Sequence, residues 1–131
     1  MRIIFIEADN CLDSDQEKFK KKLESNGYIV DVVTGCYEKE NLSRLQQLLK
    51  DNVYNDIFVQ TTFTYDKKFE AFLPLYKLIN YPIEIWYTGH SSASRLRNYI
   101  PEESINNFTF YDVWTFAYND GWEEKEWKKK V

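Results

Sequence analysis

The chain opens on a short apolar run that ends in acidic residues. Ile3 to Ile6 are all apolar, and Glu7, Ala8 and Asp9 follow them directly. An unbroken apolar run of this length is typical of a strand buried on both faces, and such strands occur in parallel sheets covered by helices. The run therefore predicts a central strand of an α/β sheet. Its two acids would lie at the strand's carboxyl end, where open sheets of this class keep their ligand crevice.

Four later segments have the alternation and the residue types of β-strands. They are Tyr28–Thr34, Asp56–Phe63, Ile83–Thr88 and Asn107–Phe116. Because helical patterns separate these segments along the chain, the connections are of the strand–helix–strand kind that gives parallel sheets.

Local signals predict where the intervening helices begin and end. Ser14 and Glu17 form a capping box that predicts the start of the first helix, and Gly27 ends it. Leucines at helical spacing predict the second helix over Glu38–Asp51. A kink or break is expected at Pro74, because proline removes a backbone donor and clashes with the preceding turn. Shorter helical patterns precede Pro101 and close the chain.

Length and element order together predict the architecture. The 131 residues fit one domain, residues 1–131, with no linker. Five strands alternating with helices predict an α/β fold with a three-layer, open, parallel five-stranded sheet. The simplest strand order is the flavodoxin-like order 2-1-3-4-5.

Charge and hydropathy exclude several classes of partner. A formal net charge of −4 and a pI near 5.1 give no basic surface for nucleic acid or for an anionic membrane. No apolar run approaches the roughly 18 residues of a membrane span, and no leader pattern is present. Cys11 and Cys36 fit a reducing compartment better than a disulfide framework, so a cytoplasmic location is expected.

Four stretches between Met1 and Ser94 have a residue pattern that is found in one family of α/β domains. They are IIFIEAD, KKLESNGYIVDVV, NDIFVQT and IWYTGHSSAS. Together they resemble the receiver domain of bacterial response regulators. In typical receivers, two acids after the first strand hold magnesium and an aspartate ending the third strand accepts phosphate. A Thr or Ser and a Lys contact that phosphate.

The chain departs from this pattern in its acids. Glu7 matches the first acid, but Ala8 stands in the second position and Asp9 lies one residue further along. The phosphoacceptor position falls on Thr61 or Gln60, neither of which can form an acyl phosphate.

Only one of the two residues that would contact the phosphate is present. Thr88 matches the switch Thr, but Tyr111–Phe116 contains no lysine. The resemblance therefore implies a degenerate receiver that kept the fold without phosphorylation chemistry. On this basis we predict a non-enzymatic regulatory or protein-interaction module, of the kind used in signalling.

An alternative interpretation is a small enzyme or a nucleotide- or phosphate-binding protein that uses the crevice at the strand ends. Its candidate ligand-binding residues are Glu7, Asp9, Thr61, Thr88, His90, Ser91 and Ser92. Several observations weigh against resident cofactors and catalysis. Two acids in one loop make a weak metal site, GHSS is not a nucleophile elbow, and an acidic loop repels a flavin phosphate. We therefore predict no metal, no cofactor and no catalytic residue.

The carboxyl-terminal part of the chain is unusually rich in aromatic side chains. A helix covering one face of an edge strand would leave some of them exposed, and Trp and Tyr are favoured anchors of protein interfaces. We predict an interface with a protein partner or with a second copy of the chain as a homodimer. The candidate interface residues are Phe110, Trp114, Phe116 and Trp122. In receivers the corresponding face is where dimers and partners dock.

Overall fold

The computed structural model describes residues 1–61, 71, 73–89 and 100–112. Its strands are β1 (Arg2–Glu7), β2 (Ile29–Val33), β3 (Asp56–Thr61), β4 (Ile83–Gly89) and β5 (Phe108–Asp112). The helices among these residues are α1 (Ser14–Ser25), α2 (Lys39–Asp51), α3 (Leu73–Leu78) and α4 (Glu102–Ile105).

The strands form one parallel sheet in the order β2-β1-β3-β4-β5. This confirms the predicted flavodoxin-like α/β architecture. The apolar run of β1 lies inside the sheet, where Ile3 is in register with Val30 of β2 and with Asp56 of β3. Every residue from Ile3 to Ile6 is at most 2% exposed, as a strand covered on both faces requires.

An aromatic cluster fills the space between α1 and one face of the sheet. Phe19 of α1 lies between Phe5 and Phe58, with ring centroids 5.7 and 5.0 Å away. Phe58 also stacks on Trp86 at 5.8 Å. Leu23, four residues after Phe19, is buried on the same helix face. Phe19 and Leu23 both face inward, because their spacing of four residues places them on one stripe of the helix.

Aliphatic side chains fill the opposite face, which α2 and α3 cover. Leu45 and Leu49 of α2 pack there against alternate strand residues such as Ile4, and Leu75 of α3 joins the same cluster. Because β1 leads into α1 on one face and β3 precedes α3 on the other, the chain leaves these neighbouring strands in opposite directions. In open α/β sheets, that divergence places the ligand crevice between the two strand ends.

The start of α1 differs from its prediction by one residue. The N-cap is Asp13, whose Oδ1 accepts from the backbone N–H of Gln16 at 2.8 Å, while Asp13 N donates to Gln16 Oε1 at 2.9 Å. This closed capping box replaces the predicted pair of Ser14 and Glu17. Either pair has a suitable spacing, but only the observed one buries Gln16 and leaves Glu17 in solvent.

Two prolines lie at the starts of short helices. Pro74 lies in the first turn of α3, where a missing N–H costs no helical hydrogen bond. The residues that would form a helix before it lie outside the described ranges. Pro101 was expected to end a helix whose residues lie outside the described ranges. In the structure it is the N-cap of α4, a short helix that was not predicted. Glu102 and Glu103 favour this start, because acids are stabilised near a helix amino terminus.

Candidate functional site

The carboxyl ends of three neighbouring strands are in register at one edge of the sheet. Glu7 of β1 is paired with Gln60 of β3, and Gln60 is paired with Thr88 of β4. Partners in parallel strands point to the same face, so Glu7 and Gln60 lie side by side on the face that α1 covers. The sequence placed the acidic end of β1 at this edge correctly.

Glu7 is almost fully buried, with 1% of its surface exposed. Its Oε1 accepts from the backbone N–H of Asp9 at 3.1 Å, and its Oε2 accepts from Gln16 Nε2 at 2.5 Å. Both carboxylate oxygens are therefore engaged within the chain. Asp9, the second acid of the predicted site, is exposed.

Gln16 connects the start of α1 to two strand ends. Its Nε2 donates to Glu7 Oε2 and also to Gln60 Oε1 at 2.7 Å, while its Oε1 accepts from Asp13 N. The capping box fixes the direction of this chain of bonds. Because the amide oxygen serves Asp13, the amide nitrogen must face Glu7 and Gln60.

Burial is the main influence on the pKa of Glu7, and it acts upward because a desolvated carboxylate is costly. The donors Gln16 and Asp9 N–H oppose this effect by stabilising the charged form. The charges of Asp9 and Asp13 add to the upward shift. The net result is a pKa above the ordinary value of a glutamate.

Cys36 lies beside Glu7, and its thiol is buried. Its backbone N–H donates to Glu7 O at 3.0 Å, and its side chain is 0% exposed. Burial, followed by the negative charge of Glu7, raises the pKa of the thiol to about 12. Cys11 is exposed and free, so the two cysteines lie in very different environments.

The loop after β2 is tied to the loop after β1. Gly35 N donates to Asp9 O at 2.6 Å, and Asn41 Nδ2 donates to Gly35 O at 3.0 Å. Gly35 has φ of +56°, and a Cβ built on it would lie 3.0 Å from Asn41 Nδ2 and 3.1 Å from Asn10 Oδ1. The positive φ therefore favours glycine here, and a Cβ would also require the side chains of Asn41 and Asn10 to shift by a few tenths of an ångström.

The remaining predicted residues are only partly described. Thr61 and Thr88 are placed as backbone at the ends of β3 and β4, and Phe110 of β5 is paired with Ile85. Six predicted residues lie outside the described ranges. They are His90, Ser91, Ser92, Trp114, Phe116 and Trp122.

Two residues of the site were missed as site residues, Gln16 and Gln60. Gln60 was considered only as a position where a phosphoacceptor is lacking. For Gln16 a signal exists, since Asp13 followed three residues later by a glutamine is itself a capping-box pattern. Nothing in the sequence, however, indicates that its amide also reaches β1 and β3.

The residues at this edge do not fit the magnesium site that the receiver resemblance implies. Ala8 stands where the second acid is needed, and both oxygens of Glu7 already accept hydrogen bonds. Among the described residues, no three or more His, Cys, Asp or Glu side chains form a group suited to a metal ion.

The chain matches none of the protein-family models, curated proteins or solved structures with which it was compared. Within the described ranges, none of the helices has the length and the apolar stretch that a bilayer crossing requires.

Proposed function

We propose that the chain is a cytoplasmic, non-enzymatic regulatory or protein-interaction module with a receiver-like fold. The observation that carries this proposal is the hydrogen-bonded group formed by Glu7, Gln16 and Gln60 at the carboxyl edge of the sheet. In a phosphorylated receiver, this edge would hold a carboxylate on β3 and a cation beside β1. Here β3 supplies an amide instead, and Glu7 is bonded to donors of its own chain.

Chemical considerations support the absence of phosphorylation. An acyl phosphate needs a carboxylate oxygen as the nucleophile, and the end of β3 offers Gln60 and Thr61. A carboxamide is a poor nucleophile, and an unactivated hydroxyl requires a neighbouring base. Glu7 is poorly suited to that task, because its oxygens accept from Asp9 N–H and from Gln16.

In this proposal the chain acts by binding a protein partner or a second copy of itself. The interface we propose is the one predicted from Phe110, Trp114, Phe116 and Trp122. Large aromatic side chains of this kind provide most of the binding free energy in many protein interfaces. The free cysteines Cys11 and Cys36 are consistent with the reducing environment of the cytoplasm.

The test is incubation of the purified chain with a small phosphodonor and Mg²⁺, followed by intact-mass measurement. We expect no phosphoryl adduct, whereas a receiver domain with an intact phosphoacceptor, treated in parallel, should acquire one. A stable, hydroxylamine-sensitive adduct on this chain would overturn the proposal.

A thermal-shift screen of nucleotides addresses the alternative enzyme or ligand-binding interpretation. A specific ligand at 100 times its dissociation constant stabilises a protein by roughly 2.7 kcal/mol. We expect no nucleotide to raise the unfolding temperature. A saturable rise that the substitution Thr88→Val abolishes would favour a ligand-binding protein instead.

A further inference from the structure

The amide nitrogen of Gln16 lies where oxygens of two neighbouring strands converge. Glu7 Oε2 is 2.5 Å away and Gln60 Oε1 is 2.7 Å away. Gln16 and Glu7 are 3% and 1% exposed and Gln60 is half-buried, so the Glu7 side of this meeting point is shielded from water. Converging carboxylate and amide oxygens are the ligands that a hard cation prefers, but here an N–H group of the protein satisfies them.

We infer that Gln16 is an internal lock, which takes the place that a divalent cation or a donor group of a ligand would otherwise take between Glu7 and Gln60. The inference rests on the proposed function and extends it. It identifies the contact that keeps this edge of the sheet closed to cations and independent of them.

The lock is held in one orientation by α1 itself. Gln16 Oε1 accepts from Asp13 N, and Gln16 N donates to Asp13 Oδ1. Rotating the amide by half a turn would place its nitrogen against another N–H group and its oxygen against the Glu7 carboxylate. Both changes are unfavourable, so the helix cap determines which group Glu7 meets.

An amide differs from a cation in carrying no charge. Glu7 therefore gains a hydrogen bond from Gln16 without being neutralised, in agreement with the upward shift of its pKa by burial. A divalent ion between the same oxygens would instead lower the pKa of Glu7 and favour its charged carboxylate form. Replacing the donor by an acceptor should consequently convert the lock into a cation site.

The test is the substitution Gln16→Glu. Glutamate at this helix position retains an acceptor for Asp13 N, as in common capping boxes, but it turns a second carboxylate towards Glu7. In EDTA we expect a lower thermal unfolding midpoint than in the wild type. Added Mg²⁺ or Ca²⁺ at constant ionic strength should raise that midpoint saturably, with a single ion per chain in calorimetry. The wild-type midpoint should not respond to either ion.

Gln47→Glu is the matched control, because Gln47 Nε2 donates to the Asp51 carboxylate at 2.8 Å on the exposed surface of α2. It makes the same chemical change beside an acid, and we expect neither a clear loss of stability nor a cation response. Should Gln16→Glu fail to fold, Gln16→Ala leaves the oxygens of Glu7 and Gln60 facing an emptied space. It should show the same cation response.

Two results would overturn the lock. The first is saturable stabilisation of the wild type by Mg²⁺ or Ca²⁺, and the second is a folded Gln16 variant that is as stable as the wild type and indifferent to both ions. A wild type that binds a cation but acquires no phosphoryl group would overturn the lock alone. A phosphorylated wild type would overturn the proposed function.

Discussion

Glu7 and Asp31 are carboxylates of neighbouring strands whose partners differ in charge. Among the described residues, the donors to Glu7 are neutral, and burial raises its pKa. Burial also acts upward on Asp31, but hydrogen bonds from Arg2 and Tyr54 outweigh it and lower the pKa. Arg2 Nε lies 2.8 Å from Asp31 Oδ2, and the Tyr54 hydroxyl donates to the same oxygen at 2.6 Å. A cationic partner thus decides the direction of the shift.

The pKa shifts of Glu7 and Asp31 make the free energy of unfolding depend on pH in opposite directions. The folded pKa of Asp31 lies below its unfolded value of about 3.9, so its contribution is present above that pH and is lost as the pH falls through the folded pKa. For Glu7 the folded pKa lies above the unfolded value of about 4.3. Its favourable contribution is present below that value and is lost as the pH rises through the folded pKa.

The substitution Asp31→Asn tests the first of these dependences. At neutral pH the variant should have a lower free energy of unfolding than the wild type, because Arg2 and Tyr54 lose their charged partner. The difference should shrink as the pH falls below about 3.9, where the wild-type aspartate also becomes protonated. Urea unfolding at a series of pH values measures this difference, and Asp51→Asn on the exposed end of α2 is the control. A gap that stays constant down to the lowest pH would contradict the assignment.

At the scale of elements, glycines shape the ends of α1 and β2 for different reasons. Gly27 follows the C-cap of α1 with φ of +90°, and an added Cβ would meet nothing within 4 Å. Its N–H donates to Glu24 O at 3.1 Å. Gly35, after β2, combines φ of +56° with close neighbours on Asn41 and Asn10. At Gly35, but not at Gly27, a side chain would also press on neighbouring side chains.

Alanine substitutions at these positions should therefore differ in cost. Gly27→Ala should lower the free energy of unfolding by about 1–2 kcal/mol, the cost of left-handed backbone for an L-residue. Gly35→Ala should cost more, because the new methyl group also forces a shift of the Asn41 amide, which donates to Gly35 O. Chemical denaturation of both variants compares them directly. Equal losses would show that the close contacts at Gly35 relax without cost.

Element boundaries also show which local signals determined the structure. The start of α1 offered two overlapping capping boxes, and burial of Gln16 against Glu7 selected the one from Asp13. That choice depends on β1 and β3, so a window of sequence around the helix does not reveal it. Pro101, which the sequence suggested only as a helix stop, is the N-cap of α4.

At the scale of the molecule, strand order was predictable and the chemistry of the strand ends was not. Apolar runs and alternation follow from burial in a covered parallel sheet, so Ile3–Ile6 alone indicated the class of fold. Glu7 and Asp9 marked the correct edge for a similar reason. The bond from Gln16 to Gln60, by contrast, joins residues 44 positions apart. This bond forms only in the folded chain, and no periodic pattern in the sequence indicates it.

The last prediction concerns self-association through the aromatic carboxyl-terminal face. Phe108 is already accounted for, since it is 6% exposed within the core. For the aromatics after it we keep the prediction of a twofold dimer, because isologous dimers are the commonest closed assemblies and large apolar patches rarely stay exposed on monomers. Replacing both Trp114 and Trp122 with alanine should convert the dimer to a monomer in sedimentation velocity without unfolding the sheet.

Trp86→Ala is the contrasting control for this experiment. Trp86 is 1% exposed and stacks on Phe58, so its loss should cost about 3–5 kcal/mol and act on folding rather than on assembly. The wild type should sediment as a dimer at roughly 10 μM, a concentration at which a Kd of about 1 μM or tighter gives mostly dimer. A wild-type monomer under those conditions would contradict the homodimer. The proposed interface would then have to serve a different protein.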